Sequence, residues 1–251
     1  MCAHYENIAH RLNYSNRFKA IPPDLESALP RQDLWPGYLG SFIRIPREAD
    51  SGDAAVPERE AIAGIFGLVP HWAKDLKIAR STYNARSETV ASKPSFRDAW
   101  KAPRHCIIPA DAIYEPDWRS CKAVATRISR ADGLPMGIAG LWDSWRQPDG
   151  QWLCSYTMLT VNADDHPVMK NFHKPADEKR SVVILPEGAY GDWLKASPSE
   201  SMDFMNLFNG ELITAPGLSS KSSAKENSSD KESVTHPRLG QQVLGLGRID
   251  F

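Results

Sequence analysis

The second residue of the chain, Cys2, carries the clearest chemical information in the sequence. The chain begins MCAHYENIAH, so removal of Met1 leaves Cys2 with an α-amine and a thiol on adjacent carbon atoms. Such a pair condenses with an aldehyde: the amine gives a Schiff base, and the thiolate then closes a five-membered thiazolidine. Ordinary pKa values of about 7.7–8.0 for an α-amine and about 8.5 for a thiol leave both groups partly deprotonated near neutral pH. Cys2 is therefore a candidate for covalent capture of an aldehyde, although a cysteine at this position, taken alone, is more often an incidental residue at a mobile terminus.

Other residues that can move protons stand beside apolar runs. Glu115 follows the apolar run in RHCIIPADAIYEPDW, and we expect partial burial to raise its pKa toward the operating pH, as general acid–base catalysis requires. His173 precedes the apolar run SVVIL and is placed to protonate a departing hydroxyl group. His166 is a second candidate, but its position before Pro167 is more typical of a capping or loop histidine.

The polar segment YNARSET adds Asn84 and Arg86, an amide and a guanidinium separated by one residue. Asn84 has no titrating proton, so its expected work is to fix the amine or the terminal backbone of Cys2 by hydrogen bonds. Taken alone, the segment is also compatible with a turn and an ordinary surface charge.

These segments together resemble the SRAP family, the SOS response-associated peptidase-like proteins that capture abasic sites in DNA. The resemblance runs from Met1 to about Pro216. It rests on five fragments in order, which are Met-Cys, W/F-G-L-x-P-x-W, N-A-R-x-E-T, C-x-x-P-A-x-x-x-Y-E and a His before a V-I-L strand. Each fragment alone is weak, but five in this order form a specific signal.

The resemblance implies a role for each matching residue. Cys2 is the nucleophile, Glu115 is the catalytic glutamate and His173 is the active-site histidine. Asn84 supports the active site and Arg86 holds a DNA phosphate. At positions 3 and 4, where many members have Gly-Arg, this chain has Ala and His.

A local excess of positive charge supports a nucleic-acid partner. The formal net charge is −1, yet from His71 to Arg130 there are twelve Lys and Arg against six Asp and Glu. Cations that follow the phosphates, together with aromatic rings that stack on bases, bind single strands without sequence preference. Beside Arg86, the candidates for DNA binding are Trp72, Lys74, Lys77, Arg97, Lys101, Arg104 and Trp118. We expect single-stranded DNA that contains abasic sites to be the partner.

Two other function classes stay open from the sequence. A cysteine peptidase would use Cys2 as its nucleophile with His173 as partner, and processing of its own Met1 would fit that activity. A non-covalent reader of modified DNA would bind without Cys2. A pure peptidase has little need of the positive stretch, whereas both DNA hypotheses use it.

Composition limits the remaining possibilities. The four cysteines, Cys2, Cys106, Cys121 and Cys154, form no CxxC pair, so zinc-ribbon spacing and a dense disulfide framework are absent from the sequence. No segment resembles a signal peptide or a membrane span. We expect a cytoplasmic protein, nucleoid-associated when bound to DNA, that acts as a monomer and needs neither a metal nor an organic cofactor.

The elements that position these residues are mainly strands. Short apolar runs bounded by Gly and Pro recur between Glu60 and Pro216, and their length and Ile, Val and aromatic content favour strands over helices. Helices are predicted over Ser95–Ala102, Glu187–Ala196 and residues 200–209. Before Pro57 the chain is proline-rich and is expected to be irregular apart from a strand over Ser41–Ile45.

The predicted architecture is a single α+β domain over residues 1–216. The family resemblance implies twisted, mainly antiparallel sheets that form a barrel-like core with flanking helices. Residues 217–251 are rich in Ser and charged side chains up to Ser233, and we expect them to form a disordered tail.

Overall fold

The computed structural model of the protein describes residues 2–21 and 32–217. Within these ranges the chain forms twelve strands and three α-helices of five or six residues. The strands are β1 (His4–Asn7), β2 (Asp33–Leu34), β3 (Leu39–Arg44), β4 (Glu60–Phe66), β5 (Asn84–Arg86), β6 (His105–Asp117), β7 (Val124–Arg130), β8 (Met136–Arg146), β9 (Trp152–Asn162), β10 (Arg180–Val182), β11 (Ile184–Leu185) and β12 (Leu212–Pro216). The α-helices are α1 (Leu12–Asn16), α2 (Arg97–Lys101) and α3 (Tyr190–Lys195). Short 3₁₀ turns cover Ala49–Ser51, Leu76–Arg80, Met169–Asn171, Glu187–Ala189 and Ser201–Phe204.

Five strands close into a barrel. The hydrogen-bonded order is β8, β9, β4, β3 and β6, and β6 pairs again with β8. All of these pairings are antiparallel except β4 with β9. Closure removes the free edges that an open sheet would expose. The predicted barrel-like core of mainly antiparallel strands is confirmed, whereas the helices around it are few and short.

Strand β6 connects the two ends of this barrel. Its first half pairs with β8, from His105 opposite Leu141 to Ala110 opposite Met136. Its second half pairs with β1 and β7, where Tyr114 faces His4 and Arg127. Since a strand rises about 3.3 Å per residue, the two ends of this 13-residue strand lie far apart. Glu115 is near one end and His105 is at the other.

Aromatic side chains fill the barrel beneath β1. Tyr5, Phe42, Phe66 and Tyr156 are fully buried, and the Tyr5 and Tyr156 hydroxyls share a hydrogen bond of 2.5 Å. The tyrosine rings can pack directly against the β3 backbone because residue 40 is Gly. A Cβ at this position would lie 2.1 Å from the Tyr156 hydroxyl oxygen. The missing side chain therefore makes room for the packed floor under the N-terminal strand.

A second core packs helices α2 and α3 against the outside of the barrel. Trp193 on α3 is fully buried and its indole nitrogen donates to the Cys106 carbonyl at 2.9 Å. Trp145 is also buried, in a separate small cluster with Val69 and Ala79. Trp152 differs, because it lies at the start of β9 with about half of its surface exposed.

Two local predictions were wrong. The strand predicted over Ser41–Ile45 is present as β3, but the rest of the segment before Pro57 is not irregular, since it contains β1, α1 and β2. The order of β1 comes from pairing with β6, which local sequence does not encode. Residues 200–209 form only the 3₁₀ turn Ser201–Phe204, because Asn206 and Asn209 are poor helix formers and Leu207 packs on the core without a helix. The helices predicted near α2 and α3 are present, the latter entered through the turn Glu187–Ala189.

The predicted tail, residues 217–251, lies outside the described residues apart from Gly217. Among the described residues, no helix has both the length and the apolar character that crossing a bilayer requires.

Candidate active site

Cys2 is held at the end of the barrel by its own backbone. It precedes β1, which lies between β2 and β6 in the sheet, and its side chain is buried. The Cys2 thiol donates to the His4 carbonyl at 3.3 Å, and the Asn84 side-chain amide donates to the Cys2 carbonyl at 2.7 Å. Met1, whose removal is expected, lies outside the described residues.

Asn84 reaches Cys2 because β5 is a short parallel strand on β9. Asn84 lies opposite Met158 in this pairing, and the side chain is buried. Its Oδ1 atom has no hydrogen-bond partner among the described residues, whereas its Nδ2 atom donates to Cys2. The structure thus places Asn84 where the sequence predicted it, as an anchor of the terminal backbone.

Gly67 explains one fragment of the sequence signature, W/F-G-L-x-P-x-W. It follows β4 with a φ of +113°, and a Cβ at this position would lie 2.1 Å from the Ala79 carbonyl oxygen. Only glycine suits both the left-handed backbone and this close approach. The turn lets the chain leave β4 and return as β5 beside β9.

Glu115 and His173 meet next to Cys2. The Oε2 atom of Glu115 lies 3.5 Å from Nδ1 of His173, and both side chains are buried. Burial raises the pKa of Glu115 to about 7, as the sequence predicted in direction. Burial also lowers the pKa of His173 to about 4, so its imidazole is neutral at physiological pH.

The histidine is held in an uncommon backbone conformation. His173 has a φ of +63°, in the left-handed region that a non-glycine residue rarely adopts. Its backbone N–H donates to the Pro116 carbonyl at 3.0 Å, and Phe172 forms a β-bridge with Asp117. The histidine loop is thereby fastened to the same end of β6 that carries Glu115. Such strain, over-determined by neighbouring bonds, concentrates at functional sites.

The hydrogen bonds of His173 define how this pair handles protons. Its Nε2 atom lies 3.4 Å from the Arg180 carbonyl oxygen, which can only accept, so Nε2 carries the hydrogen. Nδ1 of the neutral ring is then an acceptor facing the Glu115 carboxyl group. With a pKa of about 7, Glu115 is present in both protonation states near neutral pH. The pair can therefore release or take up one proton beside Cys2.

The Cys2 thiol differs from the sequence expectation. An ordinary thiol pKa would leave it partly deprotonated near neutral pH, but burial, followed by the charge of Glu115, raises that pKa well above its ordinary range. Arg86 is paired elsewhere, because its Nη1 atom lies 2.7 Å from Oε2 of Glu178. In this environment the thiol is protonated, and its proton must be removed before sulfur can attack.

Glu178 belongs to a charged network at the edge of the site. Its other carboxylate oxygen accepts from Nη1 of Arg180 at 2.7 Å. Arg180 is buried and also pairs with Glu88, while its Nη2 atom donates to the Thr160 carbonyl at 2.7 Å. Arg86, by contrast, is about half exposed. It is the cation of this network that solvent, or a phosphate, can reach.

The other predicted DNA-binding residues do not all share this location. Arg104 precedes β6 at the end opposite Glu115 and pairs with Asp143 on β8. Trp72, Lys74 and Lys77 lie in the segment whose Ala73 carbonyl accepts from the Trp145 indole, also at that opposite end. Arg97 and Lys101 belong to α2 before the start of β6. The structure does not bring this group together with Cys2.

Trp118 is the predicted aromatic residue that lies near the site. It follows β6 directly, and the Lys174 ammonium is 5.6 Å from its ring centre. Since Lys174 is the neighbour of His173 in the chain, Trp118 lies on the histidine side of Glu115. His166 is elsewhere: its Nδ1 accepts the backbone N–H groups of Val168 and Met169, each at 3.1 Å, which confirms its capping role.

An aromatic stack on the other side of Cys2 was missed by sequence reasoning. The His4 ring lies between Trp35 and Tyr114, with ring centres 4.2 and 4.1 Å away. Its Nε2 atom is 2.7 Å from Oδ1 of Asp33. Tyr114 in turn donates to Glu6, which Arg127 holds with bonds of 2.7–3.0 Å. These contacts depend on the pairing of β1 with β2 and β6, so the sequence alone contained no signal for them.

No metal site is formed by the part of the chain that the structure describes, because no group of three or more His, Cys, Asp or Glu side chains is placed to hold an ion. The four cysteines are free thiols. The side chains that meet at this site supply a thiol, a carboxyl, an imidazole and an amide.

The chain has relatives of similar sequence among known proteins. The family model for SOS response associated peptidase (SRAP) matches residues 1–220. The abasic site processing protein YoqW of Bacillus subtilis (strain 168) is 31% identical over 177 residues, which cover 68% of this chain and 75% of YoqW. The abasic site processing protein HMCES of Rattus norvegicus is 29% identical over 203 residues, which cover 68% of this chain and 54% of HMCES.

Solved structures show the same fold. A crystal structure of a Bordetella bronchiseptica protein superposes with a TM-score of 0.76 and 48% sequence identity, covering 86% of this chain and 100% of the other. A Bacteroides thetaiotaomicron protein of 19% identity shares the fold with a TM-score of 0.69. Since the family model matches residues 1–220, which include all of the described residues, the chain belongs to the SOS response associated peptidase (SRAP) family.

Proposed function

We propose that this protein processes abasic sites in DNA and that Cys2, after removal of Met1, captures the sugar aldehyde covalently. The observation that carries the proposal is the anchoring of the Cys2 backbone by Asn84 beside the Glu115–His173 pair. The names of the relatives YoqW and HMCES support the lesion as substrate. Single-stranded DNA is the proposed form of that substrate.

The proposed reaction needs proton transfers but no change of oxidation state. An abasic deoxyribose equilibrates between a closed ring and an open aldehyde. The Cys2 amine adds to the aldehyde carbon, and loss of one water gives a Schiff base. The thiol proton is removed, sulfur adds to the same carbon and the imine nitrogen takes up a proton. The product is a thiazolidine that links the protein to the sugar, and the net by-product is one water.

Glu115 is the proposed general acid and base for these steps. With a pKa of about 7 it can protonate the departing hydroxyl group, and its ionised form can accept the thiol proton. A proton acceptor is needed because burial holds the Cys2 thiol in its protonated form. His173 assists through Nδ1, which lies 3.5 Å from Oε2 of Glu115 and is placed to accept a hydrogen bond from the protonated carboxyl group as the two approach during the reaction. Asn84 keeps the amine in place through the Cys2 carbonyl.

A cysteine peptidase is less well supported by the same geometry. That chemistry requires a thiol activated by a basic imidazole. Here the two ring nitrogens of His173 face Glu115 and the Arg180 carbonyl, and the Cys2 thiol donates to the His4 carbonyl. A carboxyl group with a pKa near 7 beside an aminothiol suits reversible condensation with an aldehyde better than attack on a peptide bond.

The test is a denaturing gel of the purified protein with a single-stranded oligonucleotide that carries one abasic site, without borohydride. Intact mass first establishes that Met1 is absent. The Cys2→Ala variant and an undamaged oligonucleotide are the matched controls. A shifted band that needs both Cys2 and the lesion is expected.

Absence of that band from protein whose mass shows Met1 removed would reject covalent capture. A Cys2→Ala variant that still binds abasic DNA more tightly than undamaged DNA would then favour a non-covalent reader. Cleavage of a peptide substrate that is lost in Cys2→Ala would favour the peptidase.

A further inference from the structure

A second charged cluster surrounds Trp142, away from Cys2. The guanidinium carbons of Arg44, Arg47 and Arg104 lie 4.3, 5.8 and 5.9 Å from the centre of its ring system. The ring of Phe42 stacks near Trp142 at 6.0 Å, on the side of the barrel interior. Three like charges within about 6 Å of one indole repel each other, although the ring attracts each of them.

The strand pairing places this cluster at the opposite end of the barrel from the candidate active site. Trp142 is on β8, and its backbone N–H donates to the Arg104 carbonyl at 2.9 Å. Arg104 directly precedes β6, whereas Glu115 is close to the other end of the same strand. The three arginines therefore cannot contact a sugar that is bound at Cys2.

The counter-ions within the described residues do not satisfy the cluster. Arg44 uses its Nε atom to donate to Glu60 at 2.9 Å, and Arg104 pairs with Asp143. Arg47 is exposed and forms no ion pair with a described residue. One positive charge is left over from this balance of three cations and two carboxylates.

Arg44 gives a second indication that the cluster lacks a hydrogen-bond acceptor. It is 8% exposed, and its Nη1 atom is buried without a hydrogen-bond partner among the described residues. Buried guanidinium N–H groups are normally paired, because an unmade hydrogen bond to a charged group is costly. An acceptor from outside this part of the chain would complete the cluster, and the surplus positive charge favours an anion as that acceptor.

We propose that Arg44, Arg47 and Arg104 form a phosphate-binding site on the Trp142 side of the barrel. A phosphate group has several oxygens that can accept from converging guanidinium groups, and arginine pairs with it through two parallel bonds. The ligand is the phosphate group and not a base, because Phe42 and Arg44 already occupy the surroundings of the indole ring. A free phosphate and the backbone of a nucleic acid share this chemistry.

The test compares Arg47→Gln with Arg17→Gln. Arg47 is exposed and can be replaced without disturbing the partly buried Arg44–Glu60 pair. Arg17 is an exposed arginine that follows α1, so Arg17→Gln removes the same charge elsewhere. Inorganic phosphate binding is measured by titration calorimetry. Binding of a short undamaged single-stranded oligonucleotide is measured by fluorescence anisotropy.

Arg47→Gln is expected to weaken binding by about tenfold, the effect of losing one hydrogen bond between charged groups, while Arg17→Gln leaves it unchanged. A loss for both probes identifies the phosphate group itself as the ligand, and a loss for the oligonucleotide alone identifies the nucleic-acid backbone. Equal affinities of Arg47→Gln and the unaltered protein for both probes would overturn the proposal, as would an equal loss in Arg17→Gln. Both probes lack an aldehyde, so the result does not depend on the chemistry of Cys2.

Discussion

Arg86 and Glu178 form an ion pair in which Nη1 of the arginine lies 2.7 Å from Oε2 of the glutamate. Glu178 also binds Arg180, and Asn162 donates to it at 3.2 Å. Arg86 is the residue proposed to hold a DNA phosphate. Its only ion-pair partner within residues 2–21 and 32–217 is thus a carboxylate that competes with that phosphate.

Replacing Glu178 is therefore expected to strengthen DNA binding. In Glu178→Gln, Arg86 no longer has to exchange a protein carboxylate for a phosphate, and a partly exposed ion pair contributes about 0.2–1 kcal/mol. The affinity for an undamaged single strand should rise by up to about fivefold. Fluorescence anisotropy with a labelled oligonucleotide measures this, and Arg180 keeps Glu88 as a partner.

The matched control is Asp165→Asn, which removes the same charge from an exposed position before His166. If Asp165→Asn strengthens binding as much as Glu178→Gln, the effect is general electrostatics and not release of Arg86. A double variant, Arg86→Gln with Glu178→Gln, should lose the gain seen in Glu178→Gln alone.

Glu115→Gln is expected to slow covalent capture by about 100-fold or more, the usual contribution of a general acid–base group. The amide preserves the shape but can neither protonate the leaving hydroxyl nor accept the thiol proton. The rate of the unaltered protein should change with pH around 7, the pKa of Glu115, and that change should be missing in the variant. Single-turnover crosslinking at several pH values provides both readings. A variant with an unchanged rate would remove Glu115 from the mechanism.

Glu115→Gln is expected to slow covalent capture but to stabilise the fold at alkaline pH. Because burial raises the folded-state pKa of Glu115 above its unfolded value, its stabilising protonated form is fully present below about pH 4.5 and is lost as the pH rises through about 7. Glu115→Gln should therefore stabilise the fold at pH 8 by up to about 3 kcal/mol relative to its effect at pH 4. Urea unfolding at the two pH values measures the difference. A variant that is equally affected at both would contradict the burial of the charged group.

Asn84→Ala tests whether the anchor of the Cys2 carbonyl positions the amine. A misplacement of about 1 Å at a reacting group can cost about 100-fold in rate. We expect a loss of this size in single-turnover crosslinking, with unchanged binding of undamaged DNA. Asn84→Asp is a stricter comparison, since it keeps the size but replaces the donor with an oxygen that repels the carbonyl. Activity retained in Asn84→Asp would show that the hydrogen bond of 2.7 Å is not required.

The residues of the site were predictable from the sequence because each belongs to a short fragment with its own signature. Cys2, Asn84, Glu115 and His173 could be identified by type and order. Their surroundings could not, because Asn84 meets Cys2 through a parallel pairing of β5 with β9, and Glu115 meets it through the pairing of β6 with β1. Pairings between distant segments are set by the packing of the whole barrel.

Charge was the least reliable part of the prediction. The count from His71 to Arg130 treats Arg86 and Arg104 alike, yet one lies at the edge of the candidate active site and the other at the opposite end of β6. Acidic partners that are distant in sequence, Glu178 for Arg86 and Asp143 for Arg104, also change what each cation can bind. A local balance of charges carries no information about either.

Closure of the barrel has a consequence for communication between its two ends. Strand β6 is bonded on both sides, to β3 and β8 in its first half and to β1 and β7 in its second half. A strand held in this way cannot slide, because a shift of one residue would turn its buried side chains outward. Allosteric coupling needs an element that has two arrangements, both of them biased by the ligands. Strand β6 has a single arrangement and therefore cannot carry such coupling. Occupation of the Trp142 cluster should therefore leave the affinity at Cys2 unchanged, so that the two ends respond to their ligands independently.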